Sequence, residues 1–181
     1  ANNIERQNKI AIMLVMLVFL RNNELRGGQW QEVDFKNKRW IIPAERMKHE
    51  KMKPKPALCV PLSDWAIELL QELHTLTGHS RFMFPSRTNV NRHISENTLG
   101  KIINEKLGYK GKATPHGFRA VASSLLYENN FNGGAIETQL AHVEENKIKD
   151  SYAYQADYMP QRIEFMQWYS DFLRERYNQA L

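Results

Sequence analysis

The sequence has few of the residues from which disulfide frameworks and metal centres are built. Its 181 residues include one cysteine, Cys59, which excludes an internal disulfide and a cysteine-rich zinc site and fits a reducing compartment. The six histidines and the carboxylates form no H-E-x-x-H or similar ligand set, and no glycine-rich phosphate loop is present. We therefore expect neither a metal nor another cofactor.

Long hydrophobic runs are also missing. The longest apolar run, residues 10–20, is too short to span a bilayer, and the flanking Arg6 and Arg21 do not make it a secretory signal. It is predicted to be a buried helix, and no membrane partner is expected. Because such a helix begins within the first ten residues, we expect residues 1–181 to be one domain from the C-terminal part of a longer protein.

The composition is typical of a globular domain with its own core, since 42% of the residues are hydrophobic and 25% are charged. The 25 Lys and Arg exceed the 20 Asp and Glu, which gives a formal net charge of +5. This excess favours a polyanionic partner such as nucleic acid, although many basic proteins bind none.

The apolar periodicity predicts a mainly α-helical domain with a small antiparallel β-sheet, an α+β fold. Strands are predicted at residues 29–35, 39–42 and 57–62, the first two forming a hairpin and the third following a loop rich in lysine and proline. Helices are predicted at 8–20, from the N-cap Ser63 to about Leu76, at 95–107, from Thr114, whose hydroxyl group can cap the helix start, to 126, and at 135–140. A C-terminal amphipathic helix is predicted to bury the face formed by Ile163, Met166, Tyr169, Phe172 or Leu173, and Tyr177.

One short block carries the first chemical signal. His116 and Arg119 lie three residues apart in a predicted helix, so both side chains leave one face and can converge on one anionic group. In isolation H-x-x-R is common, and a surface pair explains it as well. In its context, Thr114-Pro115-His116-Gly117-Phe118-Arg119 followed by Ala120, Ala122 and Ser123, it resembles the "HGFR-A-x-A-S" block of prophage integrases.

Further blocks occur in the order that this family uses. Residues 20–27 resemble "R-P-G-E-L-R-G" around Arg21, with Asn22-Asn23 in place of Pro-Gly, and residues 44–48 resemble the "R-M-K" block. Gln139-Leu140-Ala141-His142, followed by Tyr152, is similar to "Q-L-A-H … Y". Over nearly its whole length the chain thus resembles the catalytic domain of the tyrosine recombinases, and the resemblance implies their fold, that of the DNA breaking-rejoining enzymes.

The resemblance implies roles for four cationic or titratable side chains. Arg21 and Arg119 would hold the nonbridging oxygens of the scissile phosphate, for which the planar, permanently charged guanidinium group is suited. His116 would be the base, and His142 would hydrogen-bond the phosphate or orient the tyrosine. Without the other blocks, Arg21 would be explained as a charge at the end of the first helix.

The resemblance also implies a general acid and a nucleophile. Lys48 is expected to protonate the leaving 5′-oxygen, with Lys53 as the alternative, because the loop before Val60 is longer than in relatives and the two ways of counting disagree. Tyr152, ten residues after His142, is expected to be the nucleophile. Tyr154 and Tyr158 are interpreted as packing aromatics.

The implied function is site-specific DNA recombination that integrates or excises a mobile element through a 3′-phosphotyrosine. The implied partners are double-stranded DNA attachment sites and accessory DNA-bending and directionality proteins. The chain is also expected to form a tetramer on DNA, in which the helix over residues 163–177 is a candidate contact between protomers. The implied location is the bacterial cytoplasm, at the nucleoid. Two alternatives remain: a type IB topoisomerase, which rejoins the same strand after relaxation, and a DNA-binding module that has lost catalysis.

Overall fold

Helix α1 (Arg6–Leu17) lies at the centre of the fold in the computed structural model, which describes residues 4–47, 56–142 and 158–180. Its buried side chains are Ile10, Ala11, Leu14, Val15 and Leu17, and each large one contributes about 1.5–3 kcal/mol through removal from water. The helix ends three residues earlier than its apolar run, because Phe19 adopts a left-handed backbone with φ of 58°. This turn directs the chain toward the functional site.

The sheet has three antiparallel strands in the order β1 (Val33–Asp34), β2 (Arg39–Ile42) and β3 (Leu58–Pro61). In β2, Trp40 and Ile42 are buried and the intervening Ile41 is exposed, as expected for a strand with one covered face. The predicted hairpin is confirmed, but its first strand is shorter than predicted. Residues 30–32 form a 3₁₀ turn instead, because the Glu32 carboxylate accepts hydrogen bonds from the Gln29 backbone N–H and the Trp40 indole.

The remaining helices surround α1 and close the core. Ser63 caps the N-terminus of α3 (Asp64–Thr77) as predicted, and its side chain accepts a hydrogen bond from the Ala66 backbone N–H at 3.3 Å. The bounds are α2 (Asn22–Arg26), α3 (Asp64–Thr77), α4 (Asn97–Lys101) continued by a π-helix (Ile102–Lys106), α5 (Pro115–Glu128), α6 (Gly133–Gln139) and α7 (Met159–Gln179), with a second 3₁₀ turn at Ala44–Arg46. The mainly helical fold with a small sheet is therefore confirmed.

The predicted buried face of the C-terminal helix was partly wrong. Met166 and Tyr169 are buried in the core of the chain itself, but Ile163 is 51% exposed. Arg162 is buried in its place, since its guanidinium group donates to the Gln139 side chain and to the Cys59 carbonyl. A hydrophobicity pattern assigns arginine to the surface, so it does not predict a buried arginine whose charge is satisfied by hydrogen bonds inside the protein. None of the described helices combines the length and the apolar composition that a bilayer span requires.

Candidate active site

Helix α5 supplies the two residues of the H-x-x-R block. The Thr114 side chain caps the helix by accepting a hydrogen bond from the Gly117 backbone N–H at 2.9 Å, and Pro115 occupies the first helical position. His116 therefore lies exposed in the first turn, while Arg119, one turn later, is only 5% exposed. The sequence predicted the shared helix, but it gave no sign that Arg119 would be buried.

The guanidinium group of Arg119 joins two distant segments of the chain. Its Nη1 donates to the Phe19 carbonyl at 2.5 Å, and its Nη2 donates to the Leu140 carbonyl at 2.7 Å. These bonds connect α5 to the end of α1 and to the end of α6. Arg21 lies two residues after the first anchor, and His142 lies two residues after the second. Arg119 thus ties together the backbone segments that lead to Arg21 and to His142, and it lies close enough to Arg21 for their charges to interact.

Both anchor points contain a residue in the left-handed backbone region, which side chains other than glycine rarely adopt. Phe19 has a φ of 58° and Ala141, directly after Leu140, has a φ of 50°. At the end of α6 the His142 N–H bonds to the Glu137 carbonyl and the Ala141 N–H to the Thr138 carbonyl, the pattern of a Schellman motif. This ending leaves the Leu140 carbonyl available to accept the hydrogen bond from Arg119.

Arg21 is fixed by a carboxylate that is almost completely buried. Its backbone N–H bonds to Glu24 Oε2 at 2.8 Å and its Nη1 to Glu24 Oε1 at 3.0 Å, while Glu24 is 1% exposed. Arg21 precedes the first residue of α2, so its interpretation as a charge ending the first helix was wrong: α1 had already ended at Leu17. Asn22, which stands where the resembled "R-P-G-E-L-R-G" block has proline, takes the first helical position, and Arg21 and Glu24 stay in register.

The two arginines repel each other electrostatically. Burial, together with the positive charge of Arg21, lowers the pKa of Arg119 to about 10, and Glu24 opposes that shift. Arg119 remains charged at neutral pH. Two guanidinium groups and one carboxylate leave an excess positive charge, which a phosphodiester would neutralise.

His142 is held by a carboxylate that the sequence analysis did not single out. Its Nδ1 lies 2.7 Å from Glu137 Oε2, and Glu137 Oε1 accepts a hydrogen bond from the Tyr127 hydroxyl at 2.8 Å. The His142 side chain is 49% exposed. The spacing of five residues between Glu137 and His142 was not a usable signal, because it brings side chains together only where a helix ends in this turn.

Arg46 was also missed, and it supports the same region. It forms an ion pair with the buried Glu32, and its Nη2 donates to the Glu24 carbonyl at 3.0 Å. A Cβ atom at Gly27 would lie 2.5 Å from Arg46 Nη1, so a larger residue there would displace this end of the arginine side chain. Arg46 thereby ties the segment that leads to Lys48 to the helix that carries Glu24.

Several expected site residues lie outside the described residues, namely Lys48, Lys53, Tyr152 and Tyr154. Tyr158 is described and is partly buried against the core, and a Cβ atom at Gly134 would meet its hydroxyl at 2.9 Å. Its position agrees with its interpretation as a packing aromatic. Among the residues of 4–47, 56–142 and 158–180, no three His, Cys, Asp or Glu side chains are grouped so that they could hold a metal ion.

Comparison with known proteins matches residues 1–158 to the phage integrase family. The chain is 35% identical over 175 residues to the integrase of enterobacteria phage P4, and 38% identical over 168 residues to that of Shigella phage Sf6. These matches cover 91% and 92% of this chain, but 40% and 42% of the relatives. The chain therefore spans about two fifths of the length of these curated relatives.

Solved structures of similar fold are also integrases and recombinases. The integrase of mycobacterium phage Brujita has a TM-score of 0.67 at 15% identity, with 92% of this chain and 53% of that chain covered. The Tn1549 transposon integrase, solved in complex with circular-intermediate DNA, has a TM-score of 0.65 at 15% identity, with 86% and 57% covered. XerA recombinase has a TM-score of 0.61 at 16% identity, with 97% and 57% covered. This likeness confirms the expected fold.

Proposed function

The chain belongs to the phage integrase family, and we propose that it is the catalytic domain of a site-specific recombinase that cuts and rejoins DNA through a 3′-phosphotyrosine. In this proposal residues 1–181 are one domain of a longer enzyme that integrates or excises a mobile element. The family relationship, over residues 1–158, supports this function over the two alternatives.

The pair formed by Arg21 and Arg119 is the observation that carries the proposal. Each is held by the fold, Arg21 through Glu24 and Arg119 through two backbone carbonyls, so little reorganisation is needed when a ligand binds. Two of the five N–H donors of Arg119 are used by these carbonyls. The remaining donors and the excess positive charge suit the nonbridging oxygens of a phosphodiester, whose negative charge grows during in-line attack.

In the proposed reaction Tyr152 attacks the scissile phosphorus. A phosphorus–oxygen bond to the tyrosine forms while the bond to the 5′-oxygen breaks, which leaves a 3′-phosphotyrosine and a free 5′-hydroxyl. His116 takes the phenol proton, since a tyrosine with a pKa of about 10 needs a base at neutral pH. Lys48 protonates the leaving 5′-oxygen, with Lys53 as the alternative. Attack by a 5′-hydroxyl of a second duplex reverses the step, and no ATP is consumed.

The proposed partner is double-stranded DNA at attachment sites. Support comes from the net positive charge and from the Tn1549 transposon integrase, whose structure contains circular-intermediate DNA. We also propose a tetrameric assembly on DNA, accessory DNA-bending and directionality proteins, and a location in the bacterial cytoplasm with the nucleoid. Residues such as Ile163, which is half exposed on α7, offer apolar surface for a neighbouring protomer.

Trapping of the covalent intermediate tests the proposal. A nicked suicide duplex with the excision site of the protein's own element should become attached to the chain in EDTA and without nucleotide. Tyr152→Phe should abolish the adduct while folding and DNA affinity are retained, and Tyr154→Phe and Tyr158→Phe should retain it. An adduct that persists in Tyr152→Phe and disappears in Tyr154→Phe would identify Tyr154 as the nucleophile.

Two other results would favour the alternatives. Relaxation of supercoiled plasmid without site-specific recombination would favour a type IB topoisomerase. Binding to DNA without any covalent adduct would favour a module that has lost catalysis.

A further inference from the structure

A hydroxyl, a carboxylate and an imidazole form a continuous chain at the end of α6. The Tyr127 hydroxyl, on α5, donates to Glu137 Oε1 at 2.8 Å, and Glu137 Oε2 lies 2.7 Å from His142 Nδ1. Both oxygens of one carboxylate are thus engaged, one by each neighbour. The contact links the helix that carries His116 and Arg119 to the residue that follows α6.

The backbone reinforces this arrangement. The N–H of His142 bonds to the Glu137 carbonyl at 3.1 Å, so residues 137 and 142 are joined through the main chain as well as through their side chains. The ring of Tyr127 lies against Gly133, where a Cβ atom would come within 3.1 Å of Tyr127 Cε1. An isolated surface ion pair has neither constraint, and such pairs are usually of little consequence.

The contact with the Glu137 carboxylate indicates which ring nitrogen of His142 carries the hydrogen. An ionised carboxylate only accepts hydrogen bonds, so Nδ1, at 2.7 Å, must carry hydrogen in the neutral imidazole. The remaining nitrogen, Nε2, then has the lone pair and is the ring nitrogen left for a reacting group. When the ring is protonated, Nε2 becomes a donor and the carboxylate balances the new charge.

We propose that Glu137 is a positioning residue that holds His142 in its Nδ1–H tautomer and directs Nε2 toward the DNA, with Tyr127 fixing the carboxylate. This inference rests on the proposed function for its consequence in DNA cleavage, but the tautomer can be measured without DNA. His142 thereby acquires a defined chemical role: when its ring is protonated, Nε2 donates a hydrogen bond to the scissile phosphate while the Glu137 carboxylate balances the charge.

The first experiment measures the tautomer directly. The full chain labelled with ¹⁵N-histidine is examined by NMR at about pH 8, where the two neutral tautomers differ in their ring nitrogen shifts, and the His142 signals are assigned with His142→Gln. The wild type and Glu137→Gln should show Nδ1–H, because the amide oxygen of glutamine can still accept this hydrogen. Glu137→Leu should shift His142 to the Nε2–H form or to a mixture.

The second experiment measures cleavage of the suicide duplex. Glu137→Leu should cleave at least about tenfold more slowly, by analogy with the loss found when a group that orients a metal-bound imidazole is removed. Glu137→Gln should be closer to the wild type, and Tyr127→Phe should fall between the two. Glu128→Leu, which removes an exposed carboxylate at the end of α5, is the matched control and should leave the rate unchanged. DNA affinity should stay the same in all four variants.

Two results would overturn the inference: an Nε2–H tautomer in the wild type, or a cleavage rate in Glu137→Leu equal to that of Glu128→Leu. If Glu137→Leu does not fold, the tautomer of the wild type and the intermediate rate of Tyr127→Phe decide the matter. A wild-type chain that shows the Nδ1–H tautomer but never forms a DNA adduct would contradict the proposed function and leave the positioning role intact.

Discussion

Replacement of Arg119 by lysine or by methionine separates the two opposing contributions of this buried cation. Lysine keeps the charge but has a single ammonium group in place of the guanidinium fork that reaches both carbonyls. Methionine removes both the charge and the hydrogen bonds and retains an unbranched side chain. The two variants therefore lose different parts of the same interaction.

The expected change in the free energy of unfolding follows from the contacts and the burial of Arg119. A buried carbonyl left without its donor costs about 1–3 kcal/mol, so methionine loses roughly 2–6 kcal/mol from the Phe19 and Leu140 carbonyls. The pKa of Arg119, lowered to about 10, means that the fold disfavours the charge by about 3 kcal/mol, which methionine recovers. The net loss for methionine is about 1 kcal/mol. Lysine leaves one carbonyl without a donor and keeps the unfavourable charge. The free energy of unfolding should therefore fall by about 1–3 kcal/mol, which makes lysine the less stable variant.

Urea unfolding of the full chain at pH 7 measures both values. Arg87→Met is the matched control, because Arg87 is 80% exposed and pairs with a glutamate at the surface, so it should change the free energy of unfolding by less than about 0.5 kcal/mol. Both Arg119 variants should lose the covalent DNA adduct. A loss above about 4 kcal/mol for methionine, with lysine close to the wild type, would show that the retained positive charge stabilises the fold, and would refute this reasoning.

Four further predictions concern other parts of the molecule. Burial raises the pKa of Tyr169 to about 12, so between pH 10 and 12 the unfolded state binds fewer protons than the folded state, and the free energy of unfolding falls as pH rises. Across this range the wild type should lose about 2–3 kcal/mol relative to Tyr169→Phe in unfolding measurements. Ala141→Gly should raise the free energy of unfolding by up to about 1 kcal/mol, since glycine adopts the left-handed backbone without steric cost, and a loss of stability would contradict the described turn. DNA affinity should fall steeply with salt in a binding titration, because contacts to phosphates release counterions, and a flat response would separate the basic composition from DNA binding. Lys48→Ala should be rescued by a 5′-thio leaving group, which needs no acid, whereas rescue of Lys53→Ala alone would assign the general acid to Lys53.

The sequence alone determined the fold class and most element types, because these depend on local signals. Ser63 and Thr114 cap helices where their hydroxyl groups predicted, and the aromatic and branched residues around Trp40 predicted a strand. The order of the motif blocks identified the family. These features need only a few neighbouring residues, so a linear pattern contains them.

The tertiary structure decided which charges are buried and what they contact. Arg119 and Arg162 are charged side chains that local patterns place at the surface, but partners 21 to 103 positions away in sequence satisfy them inside the protein. The tertiary structure also decided the turn that ends α6, where the left-handed backbone of Ala141 places the His142 ring beside the Glu137 carboxylate. Hydrogen bonds between distant segments leave no periodic trace in the sequence, since they depend on how the helices pack.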